Sequence, residues 1–211
     1  MAARAGPRNL ITDVPGILIG QAEDQSGVTG TTVVLAEASA VASVDVRGGA
    51  PGSRETELLA PGTLVDRVDA VVLSGGSAFG LDAAAGVMDW LAAAGRGFAV
   101  GSAIVPIVPA AILFDLGFPG RIAWTGEPPY HGLGHQAVAV AAGHFALGNA
   151  GAGLGARTGR IARTRPSCAM IASRRHPPLS SAASVATTAI VVLAPGTAAP
   201  HWEKSSGSSG V

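Results

Sequence analysis

Hydrophobic and polar positions change period several times along the first 159 residues. Thr31–Leu35 (TTVVL) is a β-branched run that reads as a strand. Ala40–Val46 (AVASVDV) alternates with a period of two and ends at Arg47-Gly48-Gly49. Asp69–Leu73 (DAVVL) is nearly all apolar, as expected of a strand covered on both faces. A short strand over Ile17–Gly20 follows the turn signal Asp13-Val14-Pro15-Gly16. Beyond Leu73 the period becomes helical, with Leu81, Ala84, Ala85, Met88, Trp90 and Leu91 at the apolar positions. Ser77 or Ser74 is placed to cap that helix, and Gly95-Arg96-Gly97 to stop it. Gln136–Phe145 predicts a second helix of small residues. Strands and helices mix without regular alternation, so the pattern predicts an α/β or α+β layered domain rather than a sandwich, barrel or repeat.

Composition narrows this picture. The 211 residues are 48% hydrophobic but only 4% aromatic, so the core is built from Ala, Val, Ile and Leu. Only 13% are charged, against roughly 25% in an average soluble domain, which implies surface covered by other copies of the chain or by a partner segment. Net charge is zero, which gives no basic surface for nucleic acid. The single Cys168 excludes a disulfide framework and a cysteine zinc site, and nothing around it marks an activated thiolate. The uncharged run Phe98–Phe114 is broken by Gly101, Pro106 and Pro109, so it reads as buried strand and turn rather than a membrane span. No apolar stretch of signal-peptide length precedes Pro15. A soluble, cytoplasmic protein without nucleic-acid or membrane partners is the expectation.

A compositional break falls near residue 160. Between Arg160 and Trp202 there are five Arg and neither Lys nor acid, and only Ala189–Leu193 resembles a strand. A basic linker, an ordered segment of unfamiliar pattern and a slipped reading frame each explain this mixture, and the SSGSSG end reads as a flexible tail. The chain accordingly divides into residues 1–160 and an atypical tail, 161–211.

Four motifs suggest chemistry. Gly75-Gly76-Ser77-Ala78-Phe79-Gly80 has the Gly two residues before Ser that a nucleophile elbow needs, but Phe79 stands where the second Gly belongs, which favours a structural turn. No Lys-Ser/Thr pair follows these glycines, so it is not a P-loop. Gly148–Gly155 is glycine-dense enough to cradle an anion, although it follows no clear strand; close backbone packing or one wall of an active site fits better. His131 and His135 have the i, i+4 spacing of a zinc pair, but Gly132 replaces the catalytic Glu of such motifs, and a loop or helix-edge pair is expected.

Taken in order, NLITDVPGILIG, GVTGTTVVL, SVDVRGGAPGSRETELL, DAVVLSGGSAFGLDAAAGVMDWL, VPIVPAAILFDL and GNAGAGLGARTG resemble the L-aminopeptidase/D-esterase family, which includes β-peptidyl aminopeptidases and nylon-oligomer endo-hydrolases. The resemblance covers about residues 9–160. It implies a four-layer αββα sandwich of the N-terminal-nucleophile-hydrolase type, incomplete in this chain. It also implies a precursor that cuts itself before a Ser or Thr, whose hydroxyl then attacks amides with its own α-amine as base. Small peptides, amides or esters are the implied substrates, with no cofactor and no metal, and the implied partners are further copies of the chain or a missing β-chain. No nucleophile junction is clear: Ala186-Thr187-Thr188 echoes it faintly, with Ala186 where Asn or Gly belongs, and makes Thr187 a weak candidate. In a second alignment Val191-Val192-Leu193-Ala194 echoes the stretch that carries the oxyanion Asn, and Leu193 has no donor to offer. Arg160 stands at the position of a family Lys, and its guanidinium keeps the charge without serving as a base. Phe114 stands at the position of an active-site Tyr and can pack a substrate but not donate to it, while Gly151 and Gly153 fall in a candidate substrate-binding wall.

Overall fold

The computed structural model describes residues 6–47, 51–65, 67–116 and 124–156, together with the backbone of 187–192. β-Branched and aliphatic residues build the strands where the sequence pattern places them, with longer bounds. These are β1 (Ile17–Asp24), β2 (Thr29–Ala40), β3 (Ala42–Arg47) and β5 (Val68–Ser74), with the two-residue β4 (Ser53–Arg54) between the last two. The short strands β6 (Phe98–Val100), β7 (Ala103–Val105) and β8 (Ala110–Ile112) follow, and β9 is Thr187–Val192. Among the described residues two α-helices are present, α1 (Ala83–Ala93) and α2 (Tyr130–Ala139).

One five-stranded sheet runs β1-β2-β5-β8-β4. It is antiparallel except for β5 and β8, which lie parallel because α1 and the β6–β7 hairpin carry the chain back between them. Alternation along the strands sends side chains to two faces. Val33 and Leu35 of β2 and Ala70 and Val72 of β5 meet Ala84, Val87 and Leu91 of α1 and Leu133, Ala137 and Val138 of α2. The opposite face carries Ile17, Ile19, Val34, Ala36, Val68 and Val71, against which Ala42 and Val44 of β3 pack. The nearly continuous apolar run of β5 is thus buried on both sides, as its sequence predicts. On that second face β3 pairs antiparallel with β9, Arg47 opposite Thr187 and Ala42 opposite Val192.

The two helices differ from the sequence pattern in instructive ways. The chain enters α1 through a tight 3-10 turn over Ser77–Asp82, and neither candidate serine caps it, because each hydroxyl is used elsewhere. Helix α2 begins six residues before the expected Gln136 and contains His131 and His135 on its exposed face, the helix-edge alternative rather than the loop. Its glycines do not break it, and Gly134 lets it approach α1. A Cβ at Gly134 would collide with the Ala83 carbonyl, and one at Gly86 with the carbonyl of His131. His131 Nε2 also meets Asp89 Oδ2 of α1 at 3.0 Å on the exposed side of this contact.

A second correction concerns Phe98–Phe114. Pro106–Ala111 are buried as expected, but the preceding β6–β7 hairpin is exposed along its whole length.

An N-terminal clamp holds the edge of the fold. Arg8 Nη1 donates to the Gly143 carbonyl at 3.0 Å, and Thr12 Oγ1 donates to the same oxygen at 2.8 Å. Asp13 accepts from the Arg8 side chain at 2.9 Å and from the amides of Arg8 and Leu10 at 3.0 and 3.2 Å. Desolvation pushes the Asp13 carboxyl up, but the Arg8 side-chain hydrogen bond, the two amides and the guanidinium charge together outweigh it and hold it below 3.8.

Two outcomes follow from this packing. Gly134→Ala should destabilise the chain by about 1–3 kcal/mol in denaturant titration, although alanine is the better helix former. A stabilised variant would mean that the helices do not touch there. Because the folded carboxyl lies below its ordinary value, the stabilisation from Asp13 is complete above that value and is lost as pH falls through the folded one. The protection of the Leu10 amide, taken relative to its intrinsic exchange rate at each pH, should therefore fall on acidification in the wild type, and Asp13→Asn should abolish that fall.

Candidate active site

Both glycine-rich segments come together on the start of β2. Thr29 Oγ1 lies 3.3 Å from the Tyr130 hydroxyl, and Thr31 Oγ1 lies 2.9 Å from Ser74 Oγ. The Ala152 amide donates to Thr32 Oγ1 at 3.0 Å, and the Gly151 amide donates to Glu23 Oε1 of β1 at 2.8 Å. The strand end Thr29–Thr32 therefore joins the turn after β5 to the segment 148–155, about 70 residues further along the chain.

The turn after β5 is held from below. Asp115, buried, accepts the Gly76 amide at 2.8 Å. Ser77 stands at φ +53, a left-handed conformation that side chains seldom adopt. Its amide donates to the Leu113 carbonyl at 2.9 Å, and its Oγ accepts the amides of Asp115 and Leu116 at 3.2 and 3.3 Å. Gly76 is required on two counts, because its φ is +92 and a Cβ there would enter the Tyr130 ring. Strand, sharp turn and helix thus reproduce the outline of a nucleophile elbow. The serine, however, is buried and its oxygen already anchors the following loop, which fits the structural reading of the motif.

Above this polar layer lies an aromatic ladder. Phe79 stands edge-on to Trp124 at 5.3 Å between ring centroids, and Trp124 edge-on to the buried Tyr130 at 5.5 Å. Phe79 is 53% exposed and Phe114, just past β8, is 70% exposed. Leu113 is bonded to both ends of the turn, to the Ser77 amide and to the Ser74 carbonyl, and Phe114 is the next residue along the chain.

The candidate residues from the sequence separate here. Phe114 lies at the open rim of this cluster. Gly151 and Gly153 form a tight 3-10 turn against β1 and β2. The amides of Gly151, Ala152, Gly153, Leu154 and Gly155 all have acceptors within the protein, which removes the anion-cradle reading. Thr187 opens β9, and Arg160 lies outside the described residues, as do 161–186 and 193–211. Sequence reasoning missed Thr29, Thr31, Thr32, Asp115 and Tyr130. Within TTVVL the threonines read as strand formers, and nothing local marks Asp115 or Tyr130 as buried. Among the described residues no three His, Cys, Asp or Glu side chains gather into a metal site, and no helix is long and apolar enough to cross a membrane.

The sequence pattern of peptidase family S58 matches residues 9–193. The chain belongs to this family. It is 47% identical over 161 residues to an uncharacterized aminopeptidase of Mycobacterium tuberculosis (strain ATCC 25618 / H37Rv), a match covering 72% of this chain and 46% of that protein. It is also 38% identical over 157 residues to the 6-aminohexanoate-oligomer endohydrolase of Paenarthrobacter ureafaciens, covering 74% of this chain and 41% of the hydrolase. Its fold resembles that of the L-aminopeptidase D-Ala-esterase/amidase of Ochrobactrum anthropi, a variant of the N-terminal-nucleophile-hydrolase fold, with TM-score 0.54 and 20% identity over 75% of this chain and 47% of that one. A Burkholderia sp. β-aminopeptidase gives TM-score 0.53 at 21% identity, over 75% and 46% of the respective chains. The fold is thus of the N-terminal-nucleophile-hydrolase type, and this S58 chain spans about half the length of the relatives it matches.

The geometry assigns Ser77 an anchoring role in the family scaffold. Ser77→Ala should cost about 1–3 kcal/mol in chemical denaturation, because two buried amides lose their acceptor. Unchanged stability would show that the hydroxyl is not needed to hold this loop.

Proposed function

We propose that this S58 chain carries the larger-chain scaffold of a self-processing aminopeptidase or amidohydrolase, and that the 211-residue polypeptide by itself does not turn substrate over. The observation that carries the first half is the ordered family match over residues 9–193, realised as a sheet with two helices on one face and β3–β9 on the other. The second half is supported by the described hydroxyls. Thr29, Thr31, Thr32, Ser74 and Ser77 are all committed to hydrogen bonds that hold the fold together.

On this reading the substrates are small peptides, amino-acid amides or esters, and the polypeptide partner is a smaller chain or a further copy. The reacting group is an N-terminal Ser or Thr. Its hydroxyl attacks the carbonyl while its own α-amine takes the proton, a task suited to an amine whose ordinary pKa is about 7.7–8.0. Donors from elsewhere hold the tetrahedral oxyanion. Thr187 is the candidate within this chain, since it opens a strand and lies inside the family match. Ala186 before it departs from the junction seen in the family. Phe114 offers an apolar wall without a donor, and Arg160 a fixed positive charge. The residues 1–160 then form the α-chain-like portion, and 161–211 an atypical tail.

A non-catalytic binding homologue of the same fold is favoured by one observation, the saturation of those same hydroxyls. Incubation with aminoacyl p-nitroanilides and β-peptides tests whether the chain turns substrate over, with mass spectrometry reporting the integrity of the chain. The expected result is no turnover and one uncut polypeptide. Robust turnover that disappears in Thr187→Ala would sink the inactive reading and make Thr187 the nucleophile.

A further inference from the structure

The i, i+4 spacing of His131 and His135 becomes a real geometry once α2 is helical through both of them. Residues four apart lie one above the other on a helix face, and both histidines are exposed. Helix α1 brings a third donor to the same place. Gly86 packs on the His131 carbonyl and the His135 amide, which face each other across one helical turn, so α1 lies directly against the stretch between the two histidines. Asp89 follows Gly86 by three residues and therefore emerges beside it. Its Oδ2 lies 3.0 Å from His131 Nε2.

That distance has a second meaning. Two donors held at about 2.0–2.1 Å from one ion are themselves about 2.9–3.4 Å apart, for angles between octahedral and tetrahedral. Asp89 and His131 already have this spacing. The three side chains do not converge as they stand, and His135 closes the set by turning about its own exposed side-chain bonds. Neither α1 nor α2 contains a Lys or Arg to compete for the Asp89 carboxylate. Arg54, which reaches α1, places its Nη2 3.2 Å from the Met88 sulfur.

We infer that His131, His135 and Asp89 form a binding site for a divalent late first-row transition ion, the class that zinc represents. Two imidazoles and one carboxylate suit this class, whereas magnesium and calcium take oxygen donors. The site holds its ion and does not activate water for hydrolysis, because Gly132 stands where a hydrolytic zinc motif has its Glu. Its effect is to join α1 to α2 where α2 is poorest in helix formers. Gly132 and Gly134 both fall in that stretch, and no side chain caps the start of the helix. An ion that binds only the folded chain stabilises it by mass action. Tyr130 directly precedes His131, so the same staple bears on the buried ring that Trp124 contacts.

Calorimetric titration of the full, tag-free 211-residue chain with zinc chloride, paired with thermal melts, tests this. Wild type should show a component of one ion per chain and melt a few degrees higher with zinc. EDTA should reverse the rise, and magnesium chloride should produce none. His131→Ala and His135→Ala should each weaken the zinc component at least about tenfold, and Asp89→Asn about threefold or more. Far-UV circular dichroism reports whether each variant is folded, and His135→Gln serves in place of an alanine variant that is not. His144→Ala, at an exposed position beyond α2, should leave the affinity unchanged. A wild type that takes up no zinc, an equal response to magnesium, a folded variant at any of the three positions that binds as wild type does, or loss of binding in His144→Ala would each overturn the assignment.

Discussion

Helix α2 can cover the sheet beside α1 only because Gly86 and Gly134 place no carbon between the two backbones. The helices meet at carbonyl distance, and the small residues Ala83, Ala84 and Ala137 fill the remaining space. This contact sets the position of everything that follows in the chain. Tyr130 lies at the first turn of α2, so the depth of the helix fixes how far its ring reaches over Gly76 and how its hydroxyl meets Thr29. A core poor in aromatics and rich in Ala and Gly is therefore a close-packed solution, in which short side chains allow backbone layers to approach. The single Tyr is reserved for the one place where a buried ring must carry a polar tip to a partner.

The polar layer at the end of β2 and β5 shows how a sharp, strained turn is kept in place. A serine in the left-handed region persists only where its surroundings over-determine it. Here the carboxylate of Asp115, the Leu113 carbonyl and two loop amides do so together. The outcome has the shape of a catalytic turn, but its groups are already bonded to one another.

Several elements were legible before any coordinates. The β-branched run of β2, the apolar run of β5 and the helical spacing of α1 each state their structure locally, because burial on one or both faces leaves a period in the sequence. Helix α2 was displaced toward its C-terminal half. Its first six residues hold two histidines and two glycines, and the packing that makes Gly134 favourable involves Ala83, 51 positions away. The hairpin differs for a related reason: an uncharged apolar run reads as buried whether or not the rest of the fold covers it.

The sequence by itself determined the layered class, the one strand read as buried on both sides, and the family, since each rests on periodicity or on ordered motifs. Tertiary structure decided which hydroxyls are already engaged, that the two glycine-rich segments share one floor of threonines, and that Asp115 lies beneath the turn. Those facts depend on contacts between distant parts of the chain, and a local pattern of hydrophobic and polar residues carries no record of which distant partner a side chain will meet.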